Sequence, residues 1–130
     1  MTVEEHINHW LNSADNDLKA AENLFNSGNY DWCLFIGHLI LEKALKALYV
    51  RTSGNKTPPK IHNLLKLSEL CNLGLNSEQA KYFSLINKYQ IEARYPEIKS
   101  ELYRIATLEY TKENFEKIKE HFKWLKSLNI

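Results

Sequence analysis

Apolar residues recur along this chain at the three-to-four spacing that turns one face of an α-helix toward a core, in successive runs separated by polar, glycine- or proline-bearing breaks. The first run is Ile7, Trp10, Leu11, Ala14, Leu18, Ala21, Leu24 and Phe25. It follows Thr2 and Glu5, whose spacing fits a capping box in which each side chain satisfies the other's orphan backbone N–H. Ser27-Gly28-Asn29 ends this long helix, because glycine enters the left-handed cap conformation without a Cβ penalty. The next segment, from Tyr30 to about Arg51, is apolar nearly all round in its N-terminal half, as a helix surrounded by others is, and so predicts the central helix.

The polar stretch from Thr52 to Pro59, with Gly54, Pro58 and Pro59, predicts a flexible loop. Leu64, Leu65, Leu67, Leu70 and Cys71 mark a short third helix starting near His62-Asn63, with a turn around Gly74. A fourth runs through Ala80, Phe83, Leu85, Ile86 and Tyr89 behind a second possible capping box, Asn76 with Gln79. Pro96 ends it, since the residue before a proline is pushed out of the α region. Residues 97–110 carry no decisive pattern and stay unassigned. Thr111 is placed to cap a last helix whose apolar face is Phe115, Ile118, Phe122, Leu125 and Leu128. With no period-two strand pattern and no long repeat, the expectation is an all-α, four- or five-helix bundle forming a single domain over residues 1–130.

Composition narrows the functional classes. A 44% hydrophobic content supports one core, while 25% charged residues and a mean hydropathy of −0.46 describe a solvated exterior and no membrane association. Seventeen basic and sixteen acidic residues give a net charge of +1, so the overall basic footprint of a dedicated nucleic-acid binder is absent and only a local patch is open. The acidic, soon amphipathic start lacks the order of a secretory signal, which predicts a cytoplasmic protein. Cys33 and Cys71 lie among apolar neighbours without metal-ligand spacing and read as buried free thiols. His6 and His9, three apart, lack a third ligand, so no metal site and no cofactor are expected.

Several segments in fixed order resemble the HEPN family across most of the chain. They are Trp10 with Ala14 to Leu18, the run His38 to Leu48 with its Glu-Lys-Ala-Leu-Lys-Ala core, Pro58-Pro59 with Ile61-His62-Asn63-Leu64, and Ala93-Arg94-Tyr95-Pro96. The resemblance implies an antiparallel bundle that forms a homodimer through its central helices. It also implies a setting in nucleotide or RNA biology, often beside a small nucleotidyltransferase in a two-component module. Catalytic members carry an arginine followed, after four to six residues, by a histidine: the arginine holds the phosphate and the histidine moves a proton as the ribose 2′-hydroxyl attacks. The three arginines here are Arg51, Arg94 and Arg104, and the positions where each would need its histidine hold Lys56, Thr57 and Pro58, then Lys99, Ser100 and Glu101, then Glu109, Tyr110 and Thr111. None is histidine.

Candidate ligand-binding residues are therefore Arg94, Tyr95, Glu42, Lys46 and His62. Arg94 near a helix C-terminus can hold a phosphate bidentately or neutralise the helix dipole. Tyr95 can stack on a base or pack the bundle rim. Glu42 and Lys46, with His38 one turn earlier, form a stripe that either lines a dimer cleft or makes a surface pair contributing about 0.2–0.5 kcal/mol. His62 can cap the third helix or face the cleft. The favoured expectation is a non-cleaving nucleotide- or RNA-associated binding module. The alternatives are a metal-independent ribonuclease toxin of a toxin–antitoxin module, with Arg94 and either His62 or His38 as displaced catalytic residues, and a structural adaptor bundle.

Overall fold

Thr2 and Glu5 close the expected capping box: the Thr2 hydroxyl accepts from the Glu5 N–H at 3.1 Å and Glu5 Oε1 accepts from the Thr2 N–H at 3.3 Å. The computed structural model describes residues 1–129, apart from the side chains of residues 92–94 and 96–100. The described chain folds into α1 (Val3–Asn26), α2 (Tyr30–Ser53), α3 (Leu64–Leu70), α4 (Ser77–Arg94), α5 (Pro96–Ile105) and α6 (Leu108–Ser127). None of these helices is long and apolar enough to cross a membrane.

Gly28, at φ 81°, takes the left-handed conformation that turns the chain from α1 into α2. The two helices then run antiparallel along their whole length, and polar contacts fasten the far end. Arg51 Nη2 lies 3.1 Å from Glu4 Oε1, and His6 Nδ1 lies 2.9 Å from Asn55 Oδ1. Asn55 Nδ2 also donates to the Met1 carbonyl at 3.0 Å, so the first residues of the loop expected to be flexible are tied to the start of α1.

Helix α2 is central, with Leu34, Ile40, Leu41, Ala44 and Leu45 fully enclosed. Its Gly37 faces α6, where a Cβ would meet Ile118 Cδ1 at 2.5 Å, so the missing side chain lets the two helices close. Side chains of α4 also reach α6. The Tyr82 hydroxyl donates to the Asn114 carbonyl at 2.9 Å, and the Tyr89 and Tyr110 hydroxyls meet at 2.6 Å.

Two expectations need correction. The unassigned segment contains a sixth helix, α5, which starts at Pro96 because proline's fixed φ suits the first helical position and its missing N–H is an orphan there anyway. Tyr95 before it is extended (φ −112°, ψ 117°), which separates α4 from α5 as the pre-proline restriction requires. The last helix begins earlier than expected: Thr107, not Thr111, caps it by accepting from the Tyr110 N–H at 3.2 Å, and Thr111 lies buried inside the first turns.

Both cysteines are free and buried. Burial disfavours the thiolate and pushes Cys33 from the ordinary 9.0 up to about 12, and Cys71 from 9.0 up to about 11. The folded protein thus keeps protons that the unfolded chain releases above pH 9, so their contribution to stability is complete below that pH and is lost as pH rises through 11 and 12. A thiol-specific disulfide reagent at about pH 8 is expected to leave both cysteines unmodified until urea unfolds the chain. Rapid modification of the native protein would contradict their burial.

Candidate functional site

His38, Glu42 and Lys46 are spaced four apart, which stacks them along one face of α2. Because α2 is surrounded, that face points inward: the three residues are 0%, 4% and 6% exposed. The surface-pair reading of Glu42 and Lys46 is thereby overturned. Lys46 Nζ lies 3.1 Å from Glu42 Oε2 in a buried ion pair, and 5.4 Å from the centroid of the Trp10 ring of α1. The indole face supplies a second favourable surface for a cation removed from water. Lys43, one position off the stripe, reaches α1 instead, at 2.7 Å from Asp17 Oδ2 and 2.8 Å from Ser13 Oγ.

The second Glu42 oxygen belongs to His62. Its Nδ1 lies 2.8 Å from Glu42 Oε1, while its backbone carbonyl accepts from His38 Nε2 at 2.8 Å. An ionised carboxylate only accepts, so Nδ1 is the donor in the first contact. His62 is thus held at ring and backbone by two residues of one helix face. It is not the cap of α3: Asn63 is, with Oδ1 accepting from the Leu65 and Lys66 N–H groups at 3.0 and 3.3 Å. His38 Nδ1 stands 3.8 Å from Glu42 Oε1, beyond hydrogen-bond distance. Fully enclosed, His38 cannot meet an RNA strand, which removes it as a displaced catalytic base.

Helix α4 supplies the opposite wall. Asn87 Oδ1 accepts from the Leu64 N–H at 2.9 Å and Asn87 Nδ2 donates to Asn63 Oδ1 at 3.0 Å, fastening the start of α3 to α4. Between them lies an open groove of about 190 Å³ lined by His62, Asn63, Asn87, Gln90 and Ile91. His62 keeps 45% of its side chain exposed there. Arg94 ends α4 one turn beyond Gln90 and Ile91, and its side chain lies outside the described residues. Tyr95, 56% exposed, follows it.

Of the residues singled out by sequence, Glu42, Lys46, His38 and His62 converge on one cluster. Asn63, Asn87 and Gln90 were missed. Asn63 carried a readable signal, a cap-forming residue immediately before an apolar run, whereas Asn87 has only its tertiary position. His6 bonds Asn55 and His9 lies edge-on to Trp10 at 5.5 Å, so neither reaches the groove. Among the described residues no three His, Cys, Asp or Glu side chains gather as a metal site would require.

The sequence profile of the HEPN domain matches residues 7–128, nearly the whole chain. The chain belongs to the HEPN domain family. Its fold is similar to that of TT1696 from Thermus thermophilus, with a TM-score of 0.76 at 21% sequence identity over 95% of this chain and 98% of that one. No curated protein matches the chain.

Removing one partner of a buried ion pair leaves the other charge uncompensated. Lys46→Ala is therefore expected to lower stability by about 3–5 kcal/mol in urea unfolding, with Lys46→Met combined with Glu42→Leu recovering much of that loss. A cost for Lys46→Ala below about 1 kcal/mol, the range of exposed pairs, would show that water reaches the pair.

Proposed function

We propose that this HEPN protein is a non-cleaving binding module that takes part of a nucleotide or RNA strand in the groove between His62 and α4. It works as a homodimer, beside a small nucleotidyltransferase partner, or both. The observation that carries the reading is the presentation of His62: an imidazole gripped from behind by a buried carboxylate, with its other edge in a groove lined by Asn63, Asn87 and Gln90. Arg94 follows one turn further along α4, and an arginine there suits a phosphate, which a guanidinium can bind through two parallel N–H donors.

The groove's size supports an assembly. At about 190 Å³ it falls below the roughly 300 Å³ at which small-molecule sites begin, so it suits a sugar–phosphate unit rather than a whole nucleotide. Ile91 in its lining and Tyr95, four residues further along the chain, are 47% and 56% exposed, and exposed apolar surface of this kind fits coverage by a second chain. Titration with nucleoside monophosphates, short RNA and a small nucleotidyltransferase is expected to show binding to at least one of them, weakened tenfold or more by His62→Ala. Absence of binding to all three would refute the reading.

The Glu42–His62 contact also favours a second reading, a metal-independent ribonuclease toxin of a toxin–antitoxin module with Arg94 holding the phosphate. His62 would take the proton of a ribose 2′-hydroxyl as that oxygen attacks phosphorus, the departing 5′-oxygen gaining its proton from water. That reading expects RNA cleavage in EDTA with 2′,3′-cyclic ends, abolished by His62→Ala and by Arg94→Ala. Intact RNA at high protein concentration excludes it.

A further inference from the structure

The hydrogen-bonding polarity of the groove follows from which atoms the fold has already used. Glu42 has one oxygen on Lys46 Nζ, a group that only donates, and the other on His62 Nδ1. The His62 carbonyl is taken by His38 Nε2, so neither the ring nor the backbone of His62 can turn without breaking a contact to α2. Of the ring's two nitrogens, Nδ1 faces the buried carboxylate and no described residue donates to Nε2 on the exposed edge. On the facing wall, Asn63 Oδ1 accepts from two backbone N–H groups and from Asn87 Nδ2, and Asn87 Oδ1 accepts from the Leu64 N–H. Both amide oxygens are occupied, which leaves carboxamide N–H groups as what these asparagines offer a ligand.

We propose that Glu42 is a positioning residue that holds His62 in the tautomer with hydrogen on Nδ1, so that a bare Nε2 meets a hydroxyl donor of the ligand, the sugar hydroxyl of a ribonucleotide. The tautomer is not the one an unrestrained histidine prefers in water, where the hydrogen favours Nε2, so the assignment requires Glu42. The ligand follows by complementarity. An acceptor on His62 beside donors on the asparagines, with Gln90 able to serve as either, suits a group with a hydroxyl to give and oxygens to receive, which a ribose–phosphate has. A 2′,3′-dideoxy sugar lacks both hydroxyls. The ligand half of this inference rests on the binding reading given above, whereas the tautomer does not.

Two measurements separate them. Two-bond nitrogen–proton NMR correlations on histidine-labelled, ligand-free protein at about pH 8 should show His62 with hydrogen on Nδ1 and none on Nε2. In Lys46→Met combined with Glu42→Leu, the ring should return toward the Nε2–H form. An Nε2–H ring in the unaltered protein overturns the positioning role, and that measurement stands even if the double variant does not fold. The second arm titrates the four ribonucleoside monophosphates against their 2′,3′-dideoxy analogues. Binding weakened tenfold or more by loss of the hydroxyls supports the ligand assignment, and equal binding overturns it while sparing the binding reading. Failure of both sets to bind overturns the ligand assignment and leaves the tautomer to its own result, whereas the binding reading falls only if short RNA and the nucleotidyltransferase fail to bind as well.

Discussion

A carboxylate removed from water must have its charge answered inside the fold, and Glu42 is answered by three elements at once. Lys46 balances it from one turn along α2, Trp10 of α1 lies beneath that ammonium group, and His62 comes from the connection before α3 to occupy the remaining oxygen. The desolvation of such a pair costs several kcal/mol per ion and is offset only with good geometry and full hydrogen bonding. That requirement fixes where the chain between α2 and α3 must pass. His38 reinforces it by holding the backbone at the same point. The groove is therefore a consequence of the buried pair: its one titratable side chain, His62, is positioned from within the core, and its amides are positioned by the capping of α3.

Much of the architecture could be read from local chemistry. The capping boxes at Thr2 and Asn76 form as their spacing implies, and the left-handed glycine after α1 lies where the apolar run stops. What failed were features whose local signal is ambiguous. A Glu–Lys pair four residues apart looks the same whether the helix is exposed or enclosed. The discriminating fact is nonlocal: α2 is enclosed by its neighbours beyond its apolar N-terminal half, so Glu42 and Lys46 have no solvated face to occupy. Thr111 and Thr107 are both of a cap-forming type, and that local chemistry does not say which begins α6. Asn87 lies mid-helix, where an asparagine carries no distinctive signal, and its use depends on α3 arriving beside it.

Fold and site stand on different footing. The family match and the shared architecture with TT1696 establish the bundle. The absence of an arginine-to-histidine spacing in the sequence moves attention from that motif to the histidine the fold itself supports. His62 differs from the others in this respect: His38 is enclosed, His6 is engaged with Asn55, and His121 is bonded to the Lys117 carbonyl and stacked on Tyr82. Among the histidines, His62 alone joins a buried carboxylate to a groove.

The central claim is that Glu42 and His62 act as a unit, and a double-mutant cycle tests it most directly. Urea unfolding of Glu42→Leu, of His62→Ala and of the two combined isolates their interaction, because the effect on Lys46 is common to both Glu42 variants and cancels. The account predicts a coupling of at least about 1 kcal/mol, as expected for a hydrogen bond to a charged group that is partly shielded from water. Additivity within about 0.5 kcal/mol would mean that His62 rests beside Glu42 without being held by it.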